Sequence, residues 1–453
     1  MIITQSLPGI KRFLRPLSRK TKPLVMLVRL LAAFVSHMGR MSASQAGEAI
    51  RTQACHRGNV GRFLEHSKWL KAGLLRRLAR PLVQAELRRG GEWTLLIDST
   101  FCGHQGHYEN TFSCGNYRKR TPQSNRRQRK TARRSAHGFV MALLLTPRGV
   151  RLPFFLSYLT REYCLRHGHT YRTQAELAAE LIRVLPLPES IRVTVLGDTA
   201  FDAKVIRAAC AERGYRWIVP LNPERRLAGA SPRSQVSSLI ASLKARDLTP
   251  VRLTTSQGPL AAQHRAARCR CGSRNYTRTF YVHGERRGVH RVGDVLLVFS
   301  TREKPHSRRA VAIQKVLMTN AVSLSPREVV RWYALRWQIE LFFKELKSVL
   351  GLDHYQFRRF VPVERFVTAC LITFLYLEWC RWRRLRQRGL PRQERERCAA
   401  LRTYGLCRLI RQQTEDNDLR YIVRSCRTPS GLRKLRQTLC RAIPHEYQTP
   451  TYR

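Results

Sequence analysis

Between residues 333 and 351, in "YALRWQIELFFKELKSVLG", the apolar positions recur at helical spacing. Leu335, Ile339, Phe342, Phe343, Leu346 and Leu350 gather on one side of the wheel, over an arc of about 100°. Ser325 suits the N-cap, Pro326 the first turn and Gly351 the C-terminal stop. Tyr333, Arg336, Glu340 and Lys347 fall within about 60° of each other beside that stripe, a polar line along the edge of a buried face. Such a line can be plain i,i+4 pairing of Glu340 with Arg336 and Lys344 on a solvated surface. It can also be a functional face, and the helix alone does not choose.

Upstream the pattern switches to strands. "EWTLLIDST" is an apolar run ending at Asp98, and "IRVTVLGDT" is a second one ending at Asp198. Between them, "GFVMALLLTPRGVRLPFFLSYL" reads as a hairpin turning at Pro147-Arg148-Gly149, followed by the helix "TQAELAAELIRVL". After Asp198 come the helix "AFDAKVIRAACAERG" and the strand "YRWIVPL". This order predicts an α/β mixed sheet with Asp98 and Asp198 at the carboxyl ends of strands, where open sheets place their sites.

The flanks differ. Residues 1–91 read as a helical N-terminal region, with three short helices between 24 and 69. The last carries His56, Arg57, Asn59 and Arg62, as either a groove-reading helix-turn-helix or a plain three-helix bundle would. Residues 92–220 form the first part of the core, and 221–325 are β-rich and basic, which suggests an inserted sheet. Residues 326–360 return to the core with the Glu340 helix, and 361–453 form a basic helical tail. The run "NRRQRKTARR" before the hairpin reads as a solvated or phosphate-contacting loop.

Charge narrows the function. The chain has 84 basic residues against 30 acidic ones, a formal net charge of +54, and only 14 of the basic residues are lysines. An enzyme of small molecules needs no such imbalance, whereas a polyanion such as DNA or RNA does. Arginine grips phosphate oxygens bidentately, which suits backbone binding, although GC-rich coding accounts for part of the excess. The 13 cysteines contain no C-x-x-C pair, so a disulfide framework is not indicated and a reducing cytosol is expected. Cys102, His104, His107 and Cys114 are zinc-ligand types at spacings that match no common structural site, and they read as loop residues. "PLVMLVRLLAAFVSHMG" is too short to span a membrane and carries Arg29, and "CLITFLYLEWC" reads as a buried helix.

Two aspartates ending strands and a glutamate on a later helix can hold two divalent cations about 3.5–4 Å apart. Each acid alone is weak evidence, since a strand-ending Asp is usually a turn former. Tyr333, Arg336, Glu340 and Lys347 at these spacings resemble the YREK signature of DDE-type insertion-sequence transposases. "GDTAFD" around Asp198 and "LLIDST" around Asp98 resemble that family's two aspartate motifs, over roughly residues 92–360.

The resemblance implies an RNase H-like mixed sheet with flanking helices, interrupted by the β-rich insertion, plus helical N- and C-terminal regions. It implies Asp98, Asp198 and Glu340 as catalytic, metal-binding acids, with two Mg2+ ions as cofactor and Mn2+ as a substitute. Tyr333, Arg336 and Lys347 would then be DNA-binding residues beside the scissile phosphate. The expected partners are double-stranded DNA, as transposon ends and target, with a dimer on paired ends, no membrane, and a cytoplasmic, nucleoid-associated location. A nuclease without strand joining and a non-catalytic basic nucleic-acid-binding protein are the alternatives. One departure stands out: residues 221–325 contain no Trp to support a flipped base, only Tyr276, Phe280, Tyr281 and Phe299.

Overall fold

The apolar run at Trp93–His104 forms β1, the strand around which the sheet of this computed structural model is built. The structure describes residues 7–17, 21–37, 42, 45–46, 58–67, 70–104, 106–114, 134–229, 234–254, 277–306 and 311–442. β3 (Arg134–Leu145) pairs antiparallel with β1 from Thr94↔Leu145 to His104↔Ser135, and along its other edge with β2 (Phe112–Cys114) and then β4 (Arg151–Tyr158). The β3–β4 turn closes where expected, with the Gly149 N–H donating to Thr146 O at 2.8 Å. On its other side β1 runs parallel to β5 (Val193–Leu196), and β5 parallel to β6 (Arg216–Pro220). The order β4–β3–β1–β5–β6 is consistent with the RNase H-like arrangement. Leu95, Leu96, Val193 and Leu196 are buried, as expected of strands covered on both faces.

β1 does not end at the acidic residue. Its ladder with β5 stops at Leu96↔Leu196, but its ladder with β3 continues to His104. Asp98 therefore lies just past the end of the parallel pairing, on a strand still held from one side.

The β-rich segment adds β7 (Thr249–Thr254), β8 (Thr277–Val289), β9 (Gly293–Thr301) and β10 (Lys315–Thr319). β10 pairs antiparallel with β6, so these strands extend the same ten-stranded sheet instead of forming one of their own. The helix Phe360–Leu385 is long and apolar enough to cross a membrane, yet 83% of its most apolar window is buried inside the protein. It packs against β4 and the helices Thr21–Ser36, Gly58–His66 and Gly73–Leu87.

Of the three expected N-terminal helices, the middle one lies almost wholly outside the described residues, as do His56, Arg57 and most of the basic run before β3. Asn59 and Arg62 sit on the helix Gly58–His66, where Arg62 donates to Asn59 Oδ1. The tail is helical at Arg392–Ala400, Thr403–Ser425 and Pro429–Ala442.

Candidate active site

Asp98 and Asp198 each lie two residues beyond the Leu96↔Leu196 pair, so their backbones leave adjacent parallel strands at the same level. Asp198 caps the 3-10 turn Thr199–Phe201, its Oδ1 accepting from the Ala200 N–H at 2.9 Å. The turn folds tightly back, and a Cβ at Gly197 would lie 2.9 Å from Phe201 Cβ. Asp202, at the end of that turn, accepts from Arg207 and, at 3.1 Å, from Arg225. That clamp fixes the loop carrying Asp198.

The third acid arrives on a helix that starts where the sequence places it. Ser325 and Glu328 form a capping box, with Pro326 in the first turn. The single helix expected over 333–351 is interrupted, however: Pro326–Tyr333 passes through a 3-10 turn at Ala334–Arg336 into Trp337–Val349. Residues three apart eclipse in 3-10 geometry, which brings Tyr333 and Arg336 close enough for the guanidinium charge to act on the Tyr333 hydroxyl. Leu335, Ile339, Phe342, Leu346 and Leu350 are fully buried, Phe343 partly, and Gly351 ends the segment at φ 67°.

The polar line is not a surface row. Arg336 donates through Nη2 to Glu340 Oε1 and places Nη1 3.6 Å from Asp98 Oδ2, while Lys344 stays exposed. Lys347 donates to the Phe101 carbonyl at 2.8 Å. That carbonyl belongs to the part of β1 beyond its ladder with β5, so Lys347 ties the helix to the strand.

Electrostatics follow from this packing. Lost hydration, then the nearby Asp198 charge, push the Asp98 carboxyl up to about 6, against the pull of the Ser99 N–H and Arg336. Burial, with Asp198 adding to it and Arg336 opposing, pushes the Tyr333 hydroxyl up to about 12. Burial would lower Arg336, but Tyr333, Glu340 and Asp98 outweigh it and keep the guanidinium charged. Asp98 thus senses Asp198, Glu340 and Arg336 together. Among the described residues no three His, Cys, Asp or Glu groups stand close enough to hold a metal as they are, and Arg336 supplies the positive charge between Asp98 and Glu340.

Of the zinc-type residues His107 lies in a loop as expected, whereas Cys114 belongs to β2. Cys102 and His104 belong to β1, and burial pushes the Cys102 thiol up to about 12. His104 lies 4.6 Å from the Tyr355 ring and 5.5 Å from that of His137. Of the aromatic candidates for a base, Phe299 is fully buried, Phe280 lies under Arg302, Tyr281 is partly buried and Tyr276 lies outside the described residues.

Sequence reasoning missed three features. Trp337, next to Arg336, leaves 57% of its surface exposed. Lys315, at the start of β10, holds its ammonium 5.1 Å from the centre of the Tyr333 ring. Behind the Glu340 helix, buried Arg151 pairs with Glu345 at 3.0 Å and Glu378 at 2.7 Å. Arg402 at 3.1 Å and Thr403 at 2.6 Å complete the coordination of Glu345. An exposed aromatic one residue from the signature was the only one of these with a local signal.

A family model described as the transposase DDE domain matches residues 89–376, from just before β1 into the helix Phe360–Leu385. The chain belongs to this family. The match spans more than half of the protein and includes Asp98, Asp198, β7–β10 and the Glu340 helix. Comparison with curated proteins gave no match. As a member of the DDE family the protein is a transposase, an enzyme whose substrate is DNA, and the ten-stranded sheet is the scaffold of its DDE domain.

Proposed function

We propose that this transposase belongs to an insertion sequence, and that it cuts the element's ends and joins them to target DNA at a two-Mg2+ site held by Asp98, Asp198 and Glu340. The observation that carries this reading is the placement of two carboxylates just past the end of the β1–β5 parallel ladder, within electrostatic reach of a third on the packed helix. The donor set is all oxygen, which suits a hard divalent cation. The raised proton affinity of Asp98 reflects lost hydration first and then crowded negative charge, and a cation would relieve the crowding. Bound there, Mg2+ supplies activation of a water or 3′-hydroxyl and neutralisation of the leaving oxygen.

Within this reading Tyr333, Arg336, Glu340 and Lys347 act as the YREK signature. Arg336, a planar fork with five donors, holds a phosphate near the acids and fixes it for in-line attack. Tyr333 stays protonated at neutral pH, so its oxygen can accept from Arg336 while its O–H donates to a phosphate oxygen. Lys347 sets the depth of the helix through Phe101 and adds a point charge to the DNA path. Trp337 offers a ring on which an unpaired base can stack. Affinity for the duplex comes from the arginine excess, with residues 1–91 and 361–453 as DNA-binding flanks and a dimer assembled on paired ends.

The test is an end-joining assay. Labelled DNA from the borders of the gene, purified protein, Mg2+ and a supercoiled target plasmid should yield plasmid covalently joined to label. Cut ends without joined product would make the enzyme a nuclease.

A further inference from the structure

We infer that Lys315 and Arg302 form a second phosphate-binding pair beside Arg336, contributed to the active site by the inserted strands. This rests on the site being the one proposed above. Lys315 pairs with Ser300 in the β9–β10 ladder, and Arg302 stands two residues past Ser300. The Gln314 side chain accepts from the Arg302 N–H at 3.2 Å, which keeps the two basic residues side by side. The Arg302 guanidinium lies over the Phe280 ring, 5.6 Å from its centre, and the Lys315 ammonium lies over Tyr333. Each long side chain is therefore supported by an aromatic ring from below.

The arrangement costs something in the free protein. Lys315 is held below its ordinary proton affinity by lost hydration first, and then by repulsion from Arg336 and Arg302, with Glu340 opposing. Among the described residues its ammonium forms no ion pair with a carboxylate. If Lys315 served only to cover the Tyr333 ring, an uncharged side chain would do so without that repulsion. Three cations gathered beside crowded carboxylates become favourable when a phosphodiester backbone enters between them. Lys315 approaches from the start of β10, Arg302 from the residue after β9 and Arg336 from the turn leading into the Glu340 helix, so the DNA strand would be held by both halves of the DDE domain.

The experiment measures binding and cleavage of a labelled duplex from the borders of the gene, with Lys315→Gln, Lys315→Arg and Arg302→Gln matched for melting temperature. Binding is measured without divalent metal. The slope of log K against log[salt] should flatten by about 0.9 for each phosphate that a Gln variant no longer neutralises, and stay unchanged in Lys315→Arg. Cleavage by Lys315→Gln should fall at least fivefold, with Lys315→Arg within twofold of wild type. A wild-type salt slope in both Gln variants overturns the inference, whatever their cleavage rates. Asp98→Asn is the parallel control: cleavage by that variant would sink the proposed active site itself. An inert Asp98→Asn beside wild-type slopes would remove only the second pair.

Discussion

Arg336 reaches Asp98 from the Glu340 helix, its Nη1 3.6 Å from Oδ2, while its other terminal nitrogen bonds Glu340 one turn along. A guanidinium shared by two carboxylates on separate elements is more than a surface i,i+4 pair, which would contribute about 0.3–0.5 kcal/mol. Arg336→Ala should slow cleavage of a labelled DNA end at least tenfold, because a misplaced phosphate loses in-line geometry. The metal-free variant should also melt below wild type, with Mg2+ recovering part of the loss. A wild-type cleavage rate would return Arg336 to the role of a plain salt bridge.

The three acids should separate chemistry from affinity. Asp98→Ala, Asp198→Ala and Glu340→Ala are each expected to abolish strand cleavage and to leave binding of the DNA end largely intact, since affinity is spread over many arginines. Gel-shift and cleavage assays on the same preparations check this. Any one of the variants that still cuts removes that acid from the site.

Asp98 also predicts a pH signature. Its carboxyl binds a proton more tightly in the folded chain, with a pKa raised from 3.8 to about 6 by burial and Asp198. Between those values the folded state holds more protons than the unfolded one, so this group removes stability as pH rises through the window. Asp98→Asn abolishes that titration. The melting temperature of the metal-free variant, relative to wild type, should therefore climb from about pH 4 to about pH 6 and then level off. A difference independent of pH would rule out charge crowding at Asp98.

Lys347 is tied to the sheet, and that changes what its removal should do. Its ammonium donates to the Phe101 carbonyl, and a hydrogen bond involving a charged group contributes about 1.5–3 kcal/mol. Lys347→Met, which keeps the stem, is expected to lose stability of that order in urea unfolding and to slow cleavage less than Arg336→Ala does. Unchanged stability would mean that Lys347 is free to serve DNA alone.

Behind the site, Arg151 is fully buried between Glu345 and Glu378, with its guanidinium 4.9 Å from the Phe374 ring centre. Burial would raise the Glu345 carboxyl, but Arg151, Thr403 and Arg402 hold it below its ordinary range. Breaking such a pair strands a buried charge, at a cost of about 3–5 kcal/mol. Glu345→Ala should show that loss in denaturant unfolding and should impair cleavage through the helix it shares with Glu340. Replacing Arg151 and Glu345 together by Met and Leu should recover much of the stability. If Glu345→Ala unfolds like wild type, the cluster does not anchor the helix.

The features legible from the residues alone are local ones. Alternating and continuous apolar runs specified β1, the β3–β4 hairpin, β5 and β6, because a strand's burial is written in its own residues. The capping box at Ser325 and the stop at Gly351 depend on groups within a few positions, and the buried face of the Glu340 helix depends on its period. The spacing of Tyr333, Arg336, Glu340 and Lys347 was legible for the same reason. Tertiary structure decided the contacts between distant segments. It brought Arg336 to Asp98, Lys347 to Phe101, Lys315 to Tyr333 and Arg151 to Glu345, and it joined β10 to β6 in one sheet. It also broke the helix at Ala334–Arg336, where periodicity alone predicts a uniform wheel. Periodicity records which face of an element is covered, but not what covers it: ion pairs and strand edges are chosen by register and distance in the folded chain.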